Sequence, residues 1–448
     1  MRHIQNQARA VKLMLGEQQP KVGRYRKSLY NYIFPYHEKT VLFNTFTRAI
    51  YELSPEEKEL FCKEELLYDP KMDGAEQLEE MIRARLFVPE TVDEAASYLG
   101  LSELLATSEK QDTIDDYTIL TTTGCNARCF YCFEADFTPC AMRSDTARAL
   151  ADYIASHLSG DRVVLHWFGG EPLCNTTAMD VISSRLNELN IKFSASMTTN
   201  GFAFDDKKVE SAVSLWNVRT VQITLDGMDE EHNRRKNYYA TDCNPFRKTI
   251  ENIHKLLDKE VIVSVRLNFD HENVKDIDTL CEFLAEEFKG EKRIAVYPAM
   301  LFENCGAWNP GRLADEQLRL VEELIRLRDK LYQLKLFAPP ALQPQVKFKK
   351  CGSNKATHRT VNPDGSFSVC HNYSDTCTYG SIFDGITDEA LFRSWMDNTA
   401  VSQRCKECRW LPECTAFQKC PIRRSSCVEE MDDMVRRQLT AIEDKIKD

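Results

Sequence analysis

Tyr117-Thr118-Ile119-Leu120 followed by Cys125-x3-Cys129-x2-Cys132, with the aromatic Tyr131 just before the third cysteine, is the stretch that decides how this chain reads. The apolar, β-branched run predicts a strand, and three thiols follow it within one tight loop. Such a loop can hold three irons of a [4Fe-4S] cube and leave the fourth without a protein ligand, open to a small molecule. Two plainer readings stand beside this one: three buried structural cysteines, or three ligands of a zinc site completed elsewhere. Zinc usually draws pairs of ligands from two places, so a single triplet with an open position suits iron–sulfur better.

Outward from this loop, strands are expected near 117–122, 163–168, 193–199, 219–225, 261–268 and 293–299, with amphipathic helices between them. The helix near 144–158, for example, lines up Ala147, Leu150, Tyr153, Ile154 and Leu158 on one face. Six βα units in series predict an α/β fold with a parallel sheet and outer helices. Functional residues in such folds gather at the C-terminal ends of the strands, where the three cysteines lie. A helix near 315–334 and the break Pro339-Pro340-Ala341-Leu342-Gln343-Pro344 close this region.

The cysteine spacing is that of the radical S-adenosylmethionine (SAM) enzymes, and further motifs carry the resemblance. Phe168-Gly169-Gly170-Glu171-Pro172 ends the second strand about forty residues after the triplet. It matches the family motif that holds the methionine amino group of SAM; paired glycines let a backbone approach a ligand, and the glutamate is an acceptor for an ammonium. Thr199-Asn200-Gly201 is similar to the family's Thr-Asn-Gly. Thr224-Leu225-Asp226-Gly227 with His232-x2-Arg235 resembles the family's Ser-Leu-Asp-Gly and His-x2-Arg segment. There the hydroxyl and the arginine bind the ribose and carboxylate, so the resemblance implies those roles for Thr224 and Arg235. Arg266 and Asn268 on the fifth strand either line the same cavity or form a structural salt bridge. The fold implied is a partial (β/α)6 barrel of the TIM-like kind.

A second cysteine region follows. Cys351-x13-Gly365-x4-Cys370, then Cys405-x2-Cys408-x5-Cys414-x5-Cys420, then Cys427, resembles the SPASM extension of radical SAM peptide-modifying enzymes, which carries two auxiliary [4Fe-4S] clusters. The resemblance implies Cys405, Cys408, Cys414 and Cys427 at the distal cluster and Cys351, Cys370 and Cys420 at the proximal one. Cys377 is the candidate fourth proximal ligand; otherwise that iron stays open for a substrate thiolate. Pro363-Asp364-Gly365 predicts a hairpin turn that brings Cys351 and Cys370 together. There are two departures. Five residues, Thr415 to Lys419, separate the last two cysteines of the central run where the family usually has three, and His371 stands where sulfatase-maturating relatives carry an aspartate base. Asp226 and His371 are the candidate substrate-site residues. Cys62, Cys140, Cys174, Cys243, Cys281 and Cys305 read as small buried apolar residues.

From about Tyr25 to Val92 the chain reads as a small α+β module. Tyr30 to Pro35 and Thr40 to Asn44 predict a hairpin, and Phe46, Ile50 and Leu53 are spaced as on a helix. A second helix opens at Ser54-Pro55-Glu56-Glu57, a third spans Ala75 to Ala84, and Leu86-Phe87-Val88 is a short strand. Its element order resembles the winged-helix-like recognition module of ribosomal peptide maturases, which binds an extended leader peptide along a strand edge. The expected organisation is therefore a recognition module and linker over 1–110, a radical SAM barrel over 111–310, a bridging helix and linker over 311–344, and an auxiliary-cluster domain over 345–448 that ends in an amphipathic helix near 428–447. Every expected cluster and SAM residue lies beyond 120, so if the module recognises a leader its removal leaves them in place; if it merely packs against the barrel, its removal exposes apolar surface and gives insoluble or cluster-poor protein.

With 448 residues, 43% apolar and 28% charged, the chain is ordinary for a folded protein of two or three domains. A net charge of −11 argues against broad attraction to nucleic acid and is compatible with a basic peptide partner. Met1 to Glu17 lacks the apolar core of a signal peptide, and no stretch approaches the about 20 apolar residues of a membrane span. Seventeen cysteines without a signal peptide point to a cytoplasmic metalloprotein rather than a secreted disulfide scaffold. The expectation is an enzyme that uses SAM and three [4Fe-4S] clusters, fed by a flavodoxin- or ferredoxin-type donor, to modify a precursor peptide through a thioether or other cross-link. Its competitors are formylglycine maturation of sulfatases, which His371 and the N-terminal module disfavour, and a non-catalytic zinc-binding adaptor for peptides or nucleic acid.

Overall fold

The structure, a computed structural model, describes residues 2–5, 15–107, 113–239, 242–301, 314–337, 351–373, 376–396, 401, 403–413, 431–437 and 439. Seven strands open the chain: β1 (Arg2–Gln5), β2 (Gly23–Lys27), β3 (Asn31–Tyr36), β4 (Lys39–Asn44), β5 (Ile50–Leu53), β6 (Glu65–Tyr68) and β7 (Phe87–Pro89). They form a four-stranded sheet ordered β1-β5-β4-β3 and a three-stranded sheet ordered β6-β2-β7. Helices α1 (Pro55–Leu60) and α2 (Ala75–Arg83) follow the expected pattern. The Ser54 hydroxyl accepts from the Glu57 N–H at 3.2 Å while Glu57 accepts from the Ser54 N–H at 2.8 Å, a reciprocal cap.

The helix expected around Phe46 to Leu53 is instead strand β5. Asn44 Oδ1 accepts from the N–H groups of Phe46 and Thr47, and Arg48 takes a left-handed φ of 63°. That turn folds the chain back on itself, so Ile50 lies opposite Phe43 and Leu53 opposite Thr40. Helix α3 (Glu94–Thr107), which the sequence reading did not anticipate, is anchored by Glu94. That carboxylate accepts from Ser28 Oγ at 2.5 Å, Leu29 N at 2.8 Å and Arg26 Nη1 at 3.1 Å.

The next six strands are β8 (Asp116–Thr122), β9 (Arg162–Gly169), β10 (Lys192–Thr199), β11 (Val218–Leu225), β12 (Ile262–Phe269) and β13 (Ile294–Met300). They pair in parallel and in sequence order, as the βα repeat predicts. The helices are α4 (Ser144–His157), α5 (Thr176–Glu188), α6 (Asp206–Ser214), α7 (Asp229–Lys236), α8 (Pro245–Asp258), α9 (Val274–Glu287) and α10 (Ala314–Gln333). One strand face, with Leu165, Trp167, Met197, Ile223, Val265 and Leu267, is buried in a single core with these helices. The alternate positions are polar and only half-buried: His166, Ser196, Gln222, Thr224, Arg266 and Tyr297. Parallel sheets are ordinarily apolar on both faces. The polar inner face is therefore a cavity surface.

Strands β14 (His358–Val361), β15 (Ser366–Ser368), β16 (Thr378–Ser381) and β17 (Gly385–Ile386) form an antiparallel ribbon, followed by helices α11 (Glu389–Met396) and α12 (Gln403–Lys406). Gly365, at φ 89°, makes the expected turn between β14 and β15. The ribbon continues the barrel sheet, because β14 pairs in parallel with β8. Asp116 reinforces that seam, meeting His166 at 3.1 Å and His358 at 3.3 Å. Of the expected last helix, residues 431–437 are described and helical.

The N-terminal sheets pack on the segment that carries Cys405 and Cys408. Trp410, Val435 and Leu439 share a buried cluster with Tyr32, Phe34, Phe43 and Ile50. Leu411 packs with Tyr30, Phe46 and Tyr98, and Arg48 pairs with Glu413. This contact favours the outcome in which removal of the module exposes apolar surface at the segment of Cys405 and Cys408.

Candidate active site

The cysteine loop begins where β8 ends. Thr122 Oγ1 accepts from the Gly124 N–H at 2.9 Å, and the Thr123 N–H donates to the Cys140 carbonyl at 2.9 Å, which fixes the start of the loop. The Ala127 N–H points at Cys125 Sγ at 3.4 Å, and the Cys132 N–H donates to the Cys129 carbonyl at 3.1 Å. All three thiols are half-buried. Burial first, then the nearby Glu171 carboxylate, pushes the Cys125 thiol up to about 12, so a thiolate here calls for a cation on its sulfur. Among the described residues no three His, Cys, Asp or Glu side chains stand together at the spacing of one shared metal ion. The fit to a cluster therefore rests on sequence spacing, on the strand-end position and on the N–H aimed at sulfur.

Gly169 and Gly170 have a packing reason besides the expected approach to a ligand. A Cβ at Gly169 would lie 2.1 Å from the Thr122 carbonyl oxygen, and one at Gly170 would lie 2.5 Å from that of Gly124. The glycines let β9 press against the backbone of the cysteine loop. Glu171 is fully buried, accepting from Thr199 Oγ1 at 2.7 Å, Leu173 N at 3.1 Å and Asn200 N at 2.8 Å. Burial raises its pKa, and these hydrogen bonds oppose the shift. Asn200 Nδ2 in turn donates to Asn126 Oδ1 at 2.6 Å. Glu171 and Asn200 thus join the ends of β9 and β10 to the loop between Cys125 and Cys129.

On the other side of the loop is a buried polar network that sequence reasoning missed. The Lys236 ammonium, 3% exposed, donates to Thr224 Oγ1 at 2.7 Å and Tyr131 Oη at 2.9 Å and lies 3.3 Å from Asp226. Tyr131 donates to the other Asp226 oxygen, and Asn268 Nδ2 reaches Asp226 at 3.1 Å and Tyr131 at 3.2 Å. Asn273 closes it, donating to the Asp226 carbonyl at 2.7 Å. Tyr131, between two of the cysteines, is in this way tied to β11 and β12. Breaking one side of a buried ion pair strands the other charge. Lys236→Met is expected to cost about 3–5 kcal/mol in denaturant unfolding of the metal-free protein. Adding Asp226→Asn should recover part of that loss; a single variant as stable as the parent would refute the pairing.

Arg235, expected at the SAM carboxylate, faces carboxylates of the protein itself. Its side chain is fully buried, paired with Asp270 and within 3.4 Å of Glu231 and 3.8 Å of Glu272, with Phe130 4.8 Å from its guanidinium carbon. A guanidinium already facing carboxylates is not free to clamp another. The cation that reaches Thr224 is its neighbour. In the run Arg234-Arg235-Lys236 nothing local says that Lys236 reaches Thr224 and Asp226 while Arg235 turns to Asp270.

His371 lies over the mouth of the barrel, with ring centres 4.5 Å from Phe168 and 6.1 Å from Phe133. Asp226 is fully enclosed by the network. Cys370 is buried, which raises its pKa, and Cys351 is close enough to raise it further. The Val369 N–H donates to the Cys377 carbonyl at 3.1 Å, so Cys377 runs beside Cys370. Cys405 and Cys408 share a turn, and the Trp410 N–H points at Cys408 Sγ at 3.4 Å. Cys414, Cys420 and Cys427 lie outside the described residues.

Residues 119–284 match the radical SAM superfamily. This segment is a radical SAM domain. The superfamily brings SAM and a [4Fe-4S] cluster with it. No curated protein sequence matches the chain. Among solved structures, native anSMEcpe with bound AdoMet is similar at 16% identity over 73% of this chain and 98% of that one, with a TM-score of 0.54. Streptococcus suis SuiB bound to S-adenosylmethionine is similar at 16% identity over 90% of this chain and 99% of that one, with a TM-score of 0.51. Native anSMEcpe with bound AdoMet and Cp18Cys peptide gives 16% identity, 73% and 98% coverage and a TM-score of 0.52. At such identity the likeness is one of fold. No described helix is long and apolar enough to cross a membrane.

Proposed function

We propose that this radical SAM enzyme modifies a ribosomally made precursor peptide, joining two of its side chains by a thioether or another cross-link. The observation that carries the reading is the cysteine-bearing hairpin end at His371, set over Phe168 and Phe133 at the edge of a polar barrel face that also meets the SAM-site loop. The peptide in one of the anSMEcpe structures supports it. When bound together, SAM and the cluster supply a 5′-deoxyadenosyl radical that takes a hydrogen atom from a substrate carbon.

Cys125, Cys129 and Cys132 hold the SAM-site cluster in this reading. Glu171 receives the SAM ammonium: three donors reach it, and a carboxylate offers roughly four acceptor sites. Gly169, Gly170 and Asn200 hold that glutamate against the loop. Thr224 accepts from Lys236, so its own O–H remains to donate to SAM. Arg235 fixes α7 beneath the loop, and Asp226 positions Tyr131 and Lys236. Cys351 and Cys370, with Cys420 and with Cys377 beside them, take the proximal auxiliary cluster; Cys405 and Cys408, with Cys414 and Cys427, take the distal one. Electrons come from a flavodoxin- or ferredoxin-type protein. An extended leader peptide adds to β6, an edge of the three-stranded sheet among the described residues, where Leu67 is exposed.

Anaerobically purified protein should carry iron and acid-labile sulfide near twelve of each per chain, the content of three [4Fe-4S] clusters. On reduction with SAM it should release 5′-deoxyadenosine. With a short peptide encoded beside its gene, the product should lose two hydrogens in mass. Zinc in place of iron would overturn the reading.

A further inference from the structure

Strand β12 presents two unsatisfied polar atoms to the barrel interior. Arg266 and Asn268 are two residues apart and share the inner face, since Val265 and Leu267 between and beside them are in the helix-side core. Arg266 stands in register with Thr224 on β11 and Tyr297 on β13, one step deeper in the barrel than Asn268. Its Nε is buried without an acceptor, and among the described residues no carboxylate pairs with its guanidinium. Asn268 gives both amide hydrogens to Asp226 and Tyr131, while its Oδ1 is buried without a donor. Of the two readings the sequence left open, a salt bridge is not made among the described residues.

An arginine carries five donors and no acceptor, and half-buried Arg266 turns its buried Nε to no acceptor, a hydrogen bond left unmade. Its neighbours do not relieve it. Thr224 is engaged with Lys236, and Tyr297 donates to Gln222 Oε1 at 2.7 Å. Nearby His166 and Ser196 bond to each other at 2.6 Å. A planar guanidinium at a cavity wall is shaped for bidentate contact with a carboxylate. The orphan acceptor on Asn268, further out on the same face, suits an N–H of the same guest. Arg235, the arginine that the motif pointed to, is already surrounded by carboxylates.

We propose that Arg266 is the anion-binding residue of this cavity and that it receives a carboxylate of a molecule bound inside the barrel. Two guests carry that chemistry: the α-carboxylate of SAM and an acidic group of the substrate. The inference builds on the proposed function.

The test compares the reconstituted full-length protein with Arg266→Gln and Arg266→Lys. Without SAM, Arg266→Gln should melt at the same temperature as the parent or higher, since an unpaired charge has been removed. If SAM is the guest, Arg266→Gln weakens SAM at least tenfold in equilibrium dialysis and leaves 5′-methylthioadenosine, which lacks the amino-acid group, unchanged; Arg266→Lys recovers part of the loss. If the substrate is the guest, both nucleosides bind as before. Glutarate, used as carboxylate probe, then raises the melting temperature of the SAM-bound parent and not that of SAM-bound Arg266→Gln. A melting temperature well below the parent's would make Arg266 a structural cation and overturn the inference. So would unchanged SAM affinity together with an unchanged glutarate response. Iron content is read on the same samples: parent protein without clusters would refute the proposed function, while the SAM-free melting comparison would still test Arg266.

Discussion

Replacing Cys125, Cys129 and Cys132 together by alanine is expected to abolish production of 5′-deoxyadenosine and, with the two auxiliary clusters of the proposed function in place, to remove one cluster of three. The expectation follows from where the loop sits. It leaves the C-terminal end of β8 against Gly169, Gly170, Asn200 and Tyr131, the points at which β9, β10, β11 and β12 converge. Cys140 and Cys174 also lie against this loop, the first through its carbonyl to the Thr123 N–H and the second through its thiol to the Asn126 N–H, and both are outside the triplet, while Cys351, Cys370 and Cys377 belong to the hairpin region and Cys405 and Cys408 to the segment under the N-terminal module. Iron should therefore fall by about a third, with the auxiliary clusters retained. Iron analysis with Mössbauer spectroscopy counts the clusters and chromatography counts deoxyadenosine. Deoxyadenosine from the triple variant would sink the assignment of the loop.

Deletion of residues 25–92 is expected to give insoluble or cluster-poor protein. Trp410 and Leu411 lie within five residues of Cys408, and both are buried by the segment removed. A large apolar side chain contributes about 1.5–3 kcal/mol on full burial. Exposing these two alone removes about 3–6 kcal/mol, against a total stability of about 5–15 kcal/mol for a typical domain. Arg48 and Thr45 also leave Glu413 and the Arg409 carbonyl without their partners. The measurement is soluble yield and iron per chain. A soluble truncation with the full iron content of the parent would mean that this contact contributes nothing to the cysteine segment. Leader recognition is better probed by a point change on the exposed edge, such as Leu67→Asp on β6. That variant should keep its iron and lose modification of the precursor.

The strands of the barrel and the cysteine loop were legible in the sequence because each is local. A parallel strand buried on one face announces itself by β-branched apolar residues, and a cluster loop by thiols a few residues apart. The capping box at Ser54 and the turn at Gly365 are local in the same sense, since both depend on residues within a few positions of one another. Where the reading failed, a longer-range contact decided. Phe46, Ile50 and Leu53 have helical spacing, yet the Asn44 turn and the ladder to β4 make a strand of them. Among three adjacent cations on α7, sequence alone could not say that Lys236 turns to Asp226 while Arg235 turns to Asp270. The sequence by itself determined the βα repeat, the cysteine loop and hence the superfamily. Only the tertiary structure decided which charges are paired, that Arg266 meets no carboxylate among the described residues, and that the N-terminal sheets pack on the segment of Cys405 and Cys408. Pairing and burial depend on partners tens to hundreds of residues away, and no local pattern encodes them.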